Sequence, residues 1–266
     1  MANEDFMVNL TWKSAGVTDV GLKRKDNQDN FFISEDGRCL VVCDGVGGET
    51  GGALASRLAV ETVETLWLSE KPDMADVAAV EAWMRRAVAE ANTSVKQAAD
   101  ASEDKKTMGT TIVMSVFGEE GLLHIAHAGD SRTTLVRDGK AEVLTVDHSV
   151  VMEMHLRGQL TLEQCAVNPY RNLITRCLGH EENVEVDYST RQLQDRDWII
   201  LCTDGLSEVV KPDELGPTVS NHTDPQEACA ELLQMVLDRN APDNVTIIAV
   251  QYQEVEAQVP TTADSK

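Results

Sequence analysis

The chain has 266 residues, 42% of them hydrophobic and 26% charged, with a formal net charge of −22. That length can bury a large core in one generous domain, with no need of disulfide or metal staples. The acidic excess argues against nucleic acid and anionic membrane as partners, because a phosphate backbone needs Lys and Arg to displace its counterions.

The first residues, 1–12, read as a flexible lead-in, with a strand running from Thr11 to Val20. A polar loop from Gly21 to Asp29 follows, then a strand over Phe31–Ser34 and an Asp36-Gly37 turn. Cys39 to Cys43 is an unbroken apolar run that ends in Asp44-Gly45 and reads as a buried strand. After Gly52 the period changes. Ala55, Leu58, Ala59, Val63, Leu66 and Trp67 share one helical face, which Pro72-Asp73 ends. A second amphipathic helix carries Val80, Trp83, Met84, Ala87 and Val88 inward, with Asp76 as its N-cap and a charged loop from Asp100 to Lys106 after it.

Gly109–Phe117 and Leu122–Ala128 read as paired strands, and Arg132–Arg137 and Lys140–Thr145 as a hairpin across Asp138-Gly139. His148–Arg157 fits a short helix, and Thr161-Leu162-Glu163-Gln164 a capping box that opens another. Val184, Val186 and Tyr188 alternate as in a half-buried strand. Trp198 to Cys202 is a second buried run ending in Asp204-Gly205. A short helix over Pro212–Val219, a firmer one from Asp224-Pro225 and a last strand over Val245–Tyr252 complete the pattern. Residues 254–266 are polar and aperiodic, the composition of a disordered tail. Strands come in antiparallel runs and helices in pairs, which predicts an α+β fold of two packed antiparallel sheets with helices outside.

The six cysteines form no C-x-x-C pair, and several lie in apolar runs, where a free thiol acts as a small hydrophobe. They predict a reducing, cytoplasmic setting and no zinc site. No secretory leader is legible at the N-terminus. No apolar stretch approaches the roughly 20 residues of a membrane span.

Asp29, Asp44, Asp130, Asp204 and Asp243 all fall at strand–turn junctions. Singly, each is most simply a turn former. As a set beside strong apolar runs they suggest a site for hard divalent cations, which favour carboxylate, carbonyl and water oxygens. Gly45 lets a backbone carbonyl come close to a metal. Arg24 offers a fork that can clamp a phosphate.

Arg24-x-x-Asn27-Gln28-Asp29, Val42-Cys43-Asp44-Gly45-x-Gly47-Gly48, Gly129-Asp130-Ser131-Arg132, Asp204-Gly205 and Asp243-Asn244 occur in this order. The series resembles the metal-dependent protein phosphatase family (protein phosphatase 2C-like), and Leu156–Thr161 looks like the flap of its bacterial branch. The resemblance covers about Ser14 to Tyr252. It implies a four-layer α-β-β-α sandwich, a single phosphatase domain over 13–253 and a flap over 147–180. It also implies a serine/threonine phosphatase that uses Mn²⁺ or Mg²⁺, two ions in the core site and a third beside them.

The implied roles follow residue by residue. Asp44 would bridge two metals with help from the Gly45 carbonyl, and Asp204 and Asp243 would complete the first. Asp29 would act on the second through water. Asp130, with Asp204, would hold the third. Arg24 would bind the substrate phosphate. A metal-bridging water would attack phosphorus directly. Val46 and Glu49 stand where some members carry histidine, so His148 is the candidate general acid and a metal-bound water the alternative. His127, in an apolar strand, reads as a core histidine. Phosphorylated proteins are the expected substrates, with a Ser/Thr kinase as counterpart and a monomer as the expected state. A phosphoprotein-binding module on the same fold would be expected to have lost a metal acid, and all are present.

Overall fold

A computed structural model describes residues 8–48, 51–101 and 108–256. One sheet runs in the order β1 (Val8–Asp19), β11 (Val245–Glu256), β10 (Trp198–Cys202), β7 (Arg132–Arg137), β8 (Lys140–Val143). The other runs β2 (Asp29–Ile33), β3 (Cys39–Val46), β5 (Ile112–Phe117), β6 (Leu122–Ala128), β9 (Asp187–Gln192), with β4 (Gly109–Thr110) also paired to β3. Their pairings are antiparallel.

The apolar runs are unbroken because these strands are buried on both faces. Leu40 and Val42 of β3 meet Ile199, Leu201, Ile248 and Val250 in a core between the two sheets. Cys39, Val41 and Cys43 point the other way, onto α1 (Gly51–Ser69) and α2 (Val77–Ala101). Trp198, Ile200 and Cys202 likewise turn outward, against α6 (Pro212–Ser220) and α7 (Pro225–Asp238). The result is the expected α-β-β-α sandwich. Asp76 caps α2 through the N–H groups of Ala78 and Ala79, and Asp224 caps α7 with Pro225 at its first position.

The segment between β8 and β9 carries α3 (Val150–Leu156) and α4 (Leu162–Ala166). Thr161 and Gln164 form the expected capping box on α4. The segment is tied down by isolated bridges, Ser149 to Ile174 and Thr110 to Leu178.

Several boundaries differ from the sequence expectation. Val8–Trp12 belong to β1 rather than to a lead-in, and Glu254–Glu256 to β11 rather than to a tail, because the two strands pair along their whole length, Val8 with Glu256. Residues 1–7 and 257–266 lie outside the described residues, as do 102–107 of the charged loop. The strand expected at Val184 begins only at Asp187, since its last partner on β6 is His127. Val184 and Val186 instead pack on the α1–α2 core. The strand expected over Gly109–Phe117 divides at Thr111, whose side chain is engaged by Asp44. Among the described residues no helix is long and apolar enough to cross a membrane.

Candidate active site

The two sheets deliver their acids to one end of the sandwich. The β2–β3 register sets Asp29 directly opposite Asp44. The chain leaves β10 at Cys202, and Asp204 opens the short helix α5 (Asp204–Ser207). Asp130 occupies the turn from β6 to β7, and Asp243 immediately precedes Asn244 and β11. Asp44, Asp130, Asp204 and Asp243 line a cavity of about 260 Å³ together with Arg24 and Gln28. Asp29 lies beneath it, only 5% exposed.

Hydroxyls and one amide hold this arrangement. The Thr203 hydroxyl donates to Asp29 Oδ2 at 2.9 Å and accepts the Thr246 N–H at 3.0 Å, joining the two sheets under the acids. Thr111 Oγ1 accepts the Asp44 N–H at 2.9 Å and lies 2.7 Å from the Ser131 hydroxyl. Asn244 Nδ2 donates to the Val20 and Asp26 carbonyls, and its Oδ1 accepts the Gln28 N–H. This amide therefore fixes the loop that carries Arg24.

Both Asp-Gly pairs need their glycine for the same reason. A Cβ on Gly45 would lie 2.1 Å from the Gly52 carbonyl oxygen, and one on Gly205 would lie 1.9 Å from that of Asn244. A backbone crosses each strand end at a distance no side chain permits.

So many buried carboxyls raise one another's pKa. Burial, then repulsion from Asp29, Asp204, Asp130 and Asp243, pushes Asp44 well above the usual carboxylate range. Burial, with repulsion from Asp130 and Asp243, lifts Asp204 to about 8. Asp29 rises to about 7 through burial, against hydrogen bonds from Thr246 and Thr203, and Asp130 to about 7 through burial and Asp147. The cations at hand do not balance them. Arg24 pairs with Asp243 at 2.6 Å, and Arg132 is occupied by Asp147 at 2.8 Å. Asp29 Oδ1 and Asp204 Oδ1 are buried with no hydrogen-bond partner. Unpartnered buried carboxylate oxygens are costly unless a cation meets them. The donor set, all oxygen with no His or Cys, fits hard ions such as Mn²⁺ and Mg²⁺.

His148 does not join this cluster. It is 6% exposed and stacks on His127 with ring centroids 4.6 Å apart. Its Nδ1 accepts the Gly129 N–H at 3.1 Å, and its Nε2 faces Arg176 at 3.0 Å and Asp187 at 3.4 Å. Burial lowers its pKa. It is not among the residues that line the cavity, so nothing in its contacts supports the general-acid role expected for it. His127 is the core histidine expected, its Nε2 2.9 Å from the Val146 carbonyl oxygen. The position between His148 and Asp187 is taken by the Arg176 guanidinium, 2.6 Å from Asp187 Oδ1.

Residues 21–246 match the model of a family described as protein phosphatase 2C. The chain belongs to the protein phosphatase 2C family. Protein phosphatase PhpP of Streptococcus pneumoniae is 31% identical over 246 residues, covering 91% of this chain and 98% of that protein. The serine/threonine phosphatase Stp1 of Staphylococcus aureus superposes with a TM-score of 0.84 at 29% identity, covering 94% of this chain and 99% of that one. The catalytic domain of the serine/threonine protein phosphatase PstP, solved in complex with 2 manganese ions, gives 0.79 at 29% identity, covering 92% and 100%.

In this phosphatase the sequence pattern finds the acids and Arg24 but passes over Thr111, Thr203 and Asn244, which position them. Their signal was local. A hydroxyl ends the apolar run before Asp204, and an amide follows Asp243. Neither says which distant backbone it will meet.

Proposed function

We propose that this protein phosphatase acts on phosphoserine and phosphothreonine in proteins, with Mn²⁺ or Mg²⁺ held by its acid cluster. The observation that carries the reading is the pair of buried, unpartnered oxygens, Asp29 Oδ1 and Asp204 Oδ1, within that cluster. Asp44 would serve two ions, with the Gly45 carbonyl beside it. Asp204 and Asp243 would complete the first. Asp29, buried beneath the cavity, would serve the second through solvent, and Asp130 with Asp204 would serve a third. When bound, such ions lower the pKa of water and offset the charge of a phosphoryl group.

The chain's own groups do the rest. Arg24, 54% exposed at its side chain, sits on the cavity with its guanidinium on Asp243. Turned to the substrate, its planar fork meets two phosphate oxygens. Water rather than a side chain is the nucleophile. Cys43 and Cys202 flank the site but are buried, and burial holds their thiols protonated, Cys202 at about 12. The leaving serine or threonine oxygen would take its proton from solvent, since His148 does not line the cavity. A Ser/Thr kinase is the counterpart that makes the substrate. The six unpaired cysteines support a reducing cytoplasmic setting, with the chain acting as a monomer.

The test compares a phosphothreonine peptide with a sugar phosphate at equal Mn²⁺, using wild type and Asp204→Ala. Wild type should favour the peptide and the variant should be inactive on both. Preference for the sugar phosphate would overturn the protein-substrate reading. Normal turnover by Asp204→Ala would overturn the metal assignment.

A further inference from the structure

The catalytic cavity does not end at the acids. Asp130 and Asp204 also form the wall of a second cavity of about 370 Å³, which opens between the 147–180 segment and the α5–α6 region. That volume is in the range of small-ligand sites. Its far wall is apolar, built from Val151 and Met152 of α3, Leu162 and Cys165 of α4, and Pro212 at the start of α6. The Cys165 thiol, 3.2 Å from the Val151 carbonyl oxygen, joins the two short helices so that they present one face. On its polar side, Arg171 is neutralised by Glu208 at 3.4 Å and Arg132 by Asp147 at 2.8 Å.

The segment above this cavity carries an unusual surface. Leu156, Leu162, Val167, Tyr170 and Leu173 are between 51% and 80% exposed, within eighteen residues of one another along the chain. Of these, Leu162 lines the cavity itself, and exposed apolar side chains mark an interaction surface where they adjoin such a site. Here it borders the place where a phosphorylated side chain would enter, and the neighbouring cavity shares two acids with the catalytic one.

We propose that this second cavity is a specificity subsite for an aliphatic side chain of the substrate, carried one or two residues from the phosphorylated position. The inference rests on the phosphoprotein reading above. Continuity decides the occupant. An extended chain advances about 3.3–3.6 Å per residue, so a side chain entering beside Asp130 and Asp204 belongs to the same peptide as the phosphate. Burying an aliphatic group against Met152 and Leu162 favours that peptide by removing apolar surface from water. Lys211 is the cation left there, its Nζ 2.8 Å from the Glu208 carbonyl oxygen, so an acidic neighbour is the competing occupant, and a preference for Asp over Leu at the flanking position would overturn the aliphatic one.

The test uses phosphothreonine peptides that differ only at the flanking positions, with Leu, Ser or Asp there, at saturating Mn²⁺. Wild type should show a kcat/KM for the Leu peptide roughly tenfold above that for Ser, the scale on which hydrophobic pockets discriminate. Leu162→Asp and Met152→Ser should each bring that ratio towards one. Leu68→Asp, on the remote and 72% exposed Leu68 of α1, should leave it unchanged and controls for added charge. Equal hydrolysis of all three peptides by wild type overturns the subsite while leaving the phosphatase reading intact. Failure on every peptide overturns both. A dimer in sedimentation that Leu162→Asp dissociates, with no peptide preference, would assign the surface to a second copy of the chain and overturn the subsite too.

Discussion

Asp29 and Asp44 face one another across neighbouring antiparallel strands, one buried beneath the cavity and the other lining it. Each raises the cost of ionising the other. With Asp130 and Asp204 added, the fold concentrates negative charge where water is scarce, and cation binding is the natural relief.

A dependence of stability on pH follows. Asp29 and Asp130 titrate at about 7 and Asp204 at about 8, against an ordinary value of 3.8. An acid whose folded pKa exceeds its unfolded one supports folding at low pH and loses that contribution as pH rises through the folded value. Metal-free protein should therefore melt lower at about pH 8.5 than at about pH 5.5. Mn²⁺ at the higher pH should restore the loss, and Asp204→Asn should reduce it without metal. Calorimetry with and without chelator checks this. A metal-free melting temperature at high pH equal to that with Mn²⁺ would count against it.

Arg24 should act on substrate binding. Arg24→Ala is expected to raise KM for a phosphopeptide roughly tenfold with a smaller change in kcat, the pattern of a lost binding contact. Arg24→Lys should not restore it, because an ammonium is a point charge and cannot make the paired contact. Steady-state kinetics decide, and an unchanged KM in Arg24→Ala would remove the clamp.

Asn244→Ala deletes three hydrogen bonds to the 20–28 loop. Leaving such groups unpaired costs about 3 kcal/mol, roughly 6–12 °C in Tm for a chain of this size. KM should rise as well, since Arg24 sits on that loop. A thermal scan showing a loss under one or two degrees would mean that water takes over these bonds.

His148 and Gly129 hold each other twice, the Gly129 N–H donating to Nδ1 at 3.1 Å and the His148 N–H donating to the Gly129 carbonyl at 2.9 Å. Asp130 is the next residue. His148→Ala should raise the Mn²⁺ concentration needed for half-maximal activity by about tenfold, the low end for groups that orient a ligand. His148→Asn, whose Oδ1 can accept from Gly129, should recover much of it. Titration calorimetry with Mn²⁺ provides the second readout, and equal Mn²⁺ requirements in all three proteins would refute the link.

What the sequence made legible depended on range. Cys39–Cys43 and Trp198–Cys202 could be read as buried strands because both faces are apolar, and each ended in an acid beside a glycine. Capping by Asp76, Thr161 and Asp224 was equally readable, because a cap acts within three residues. What depended on a distant partner was hidden. The β1–β11 ladder extends to Val8 only because Glu256 meets it, and β9 starts at Asp187, the residue that pairs with His127 of β6. His148 drew attention as a histidine in the expected flap where Val46 and Glu49 replace the usual ones, and only the fold shows its contacts with Gly129 and His127.

The central claim is that the acid cluster works by holding divalent ions. It is tested most directly by phosphate release from a phosphothreonine peptide after chelator treatment, with and without added Mn²⁺. Activity absent after chelation and restored by Mn²⁺, but not restored in Asp204→Ala, is the predicted result. Undiminished release from the thoroughly chelated wild-type protein, or none with Mn²⁺ when the protein is shown to be folded, would contradict it.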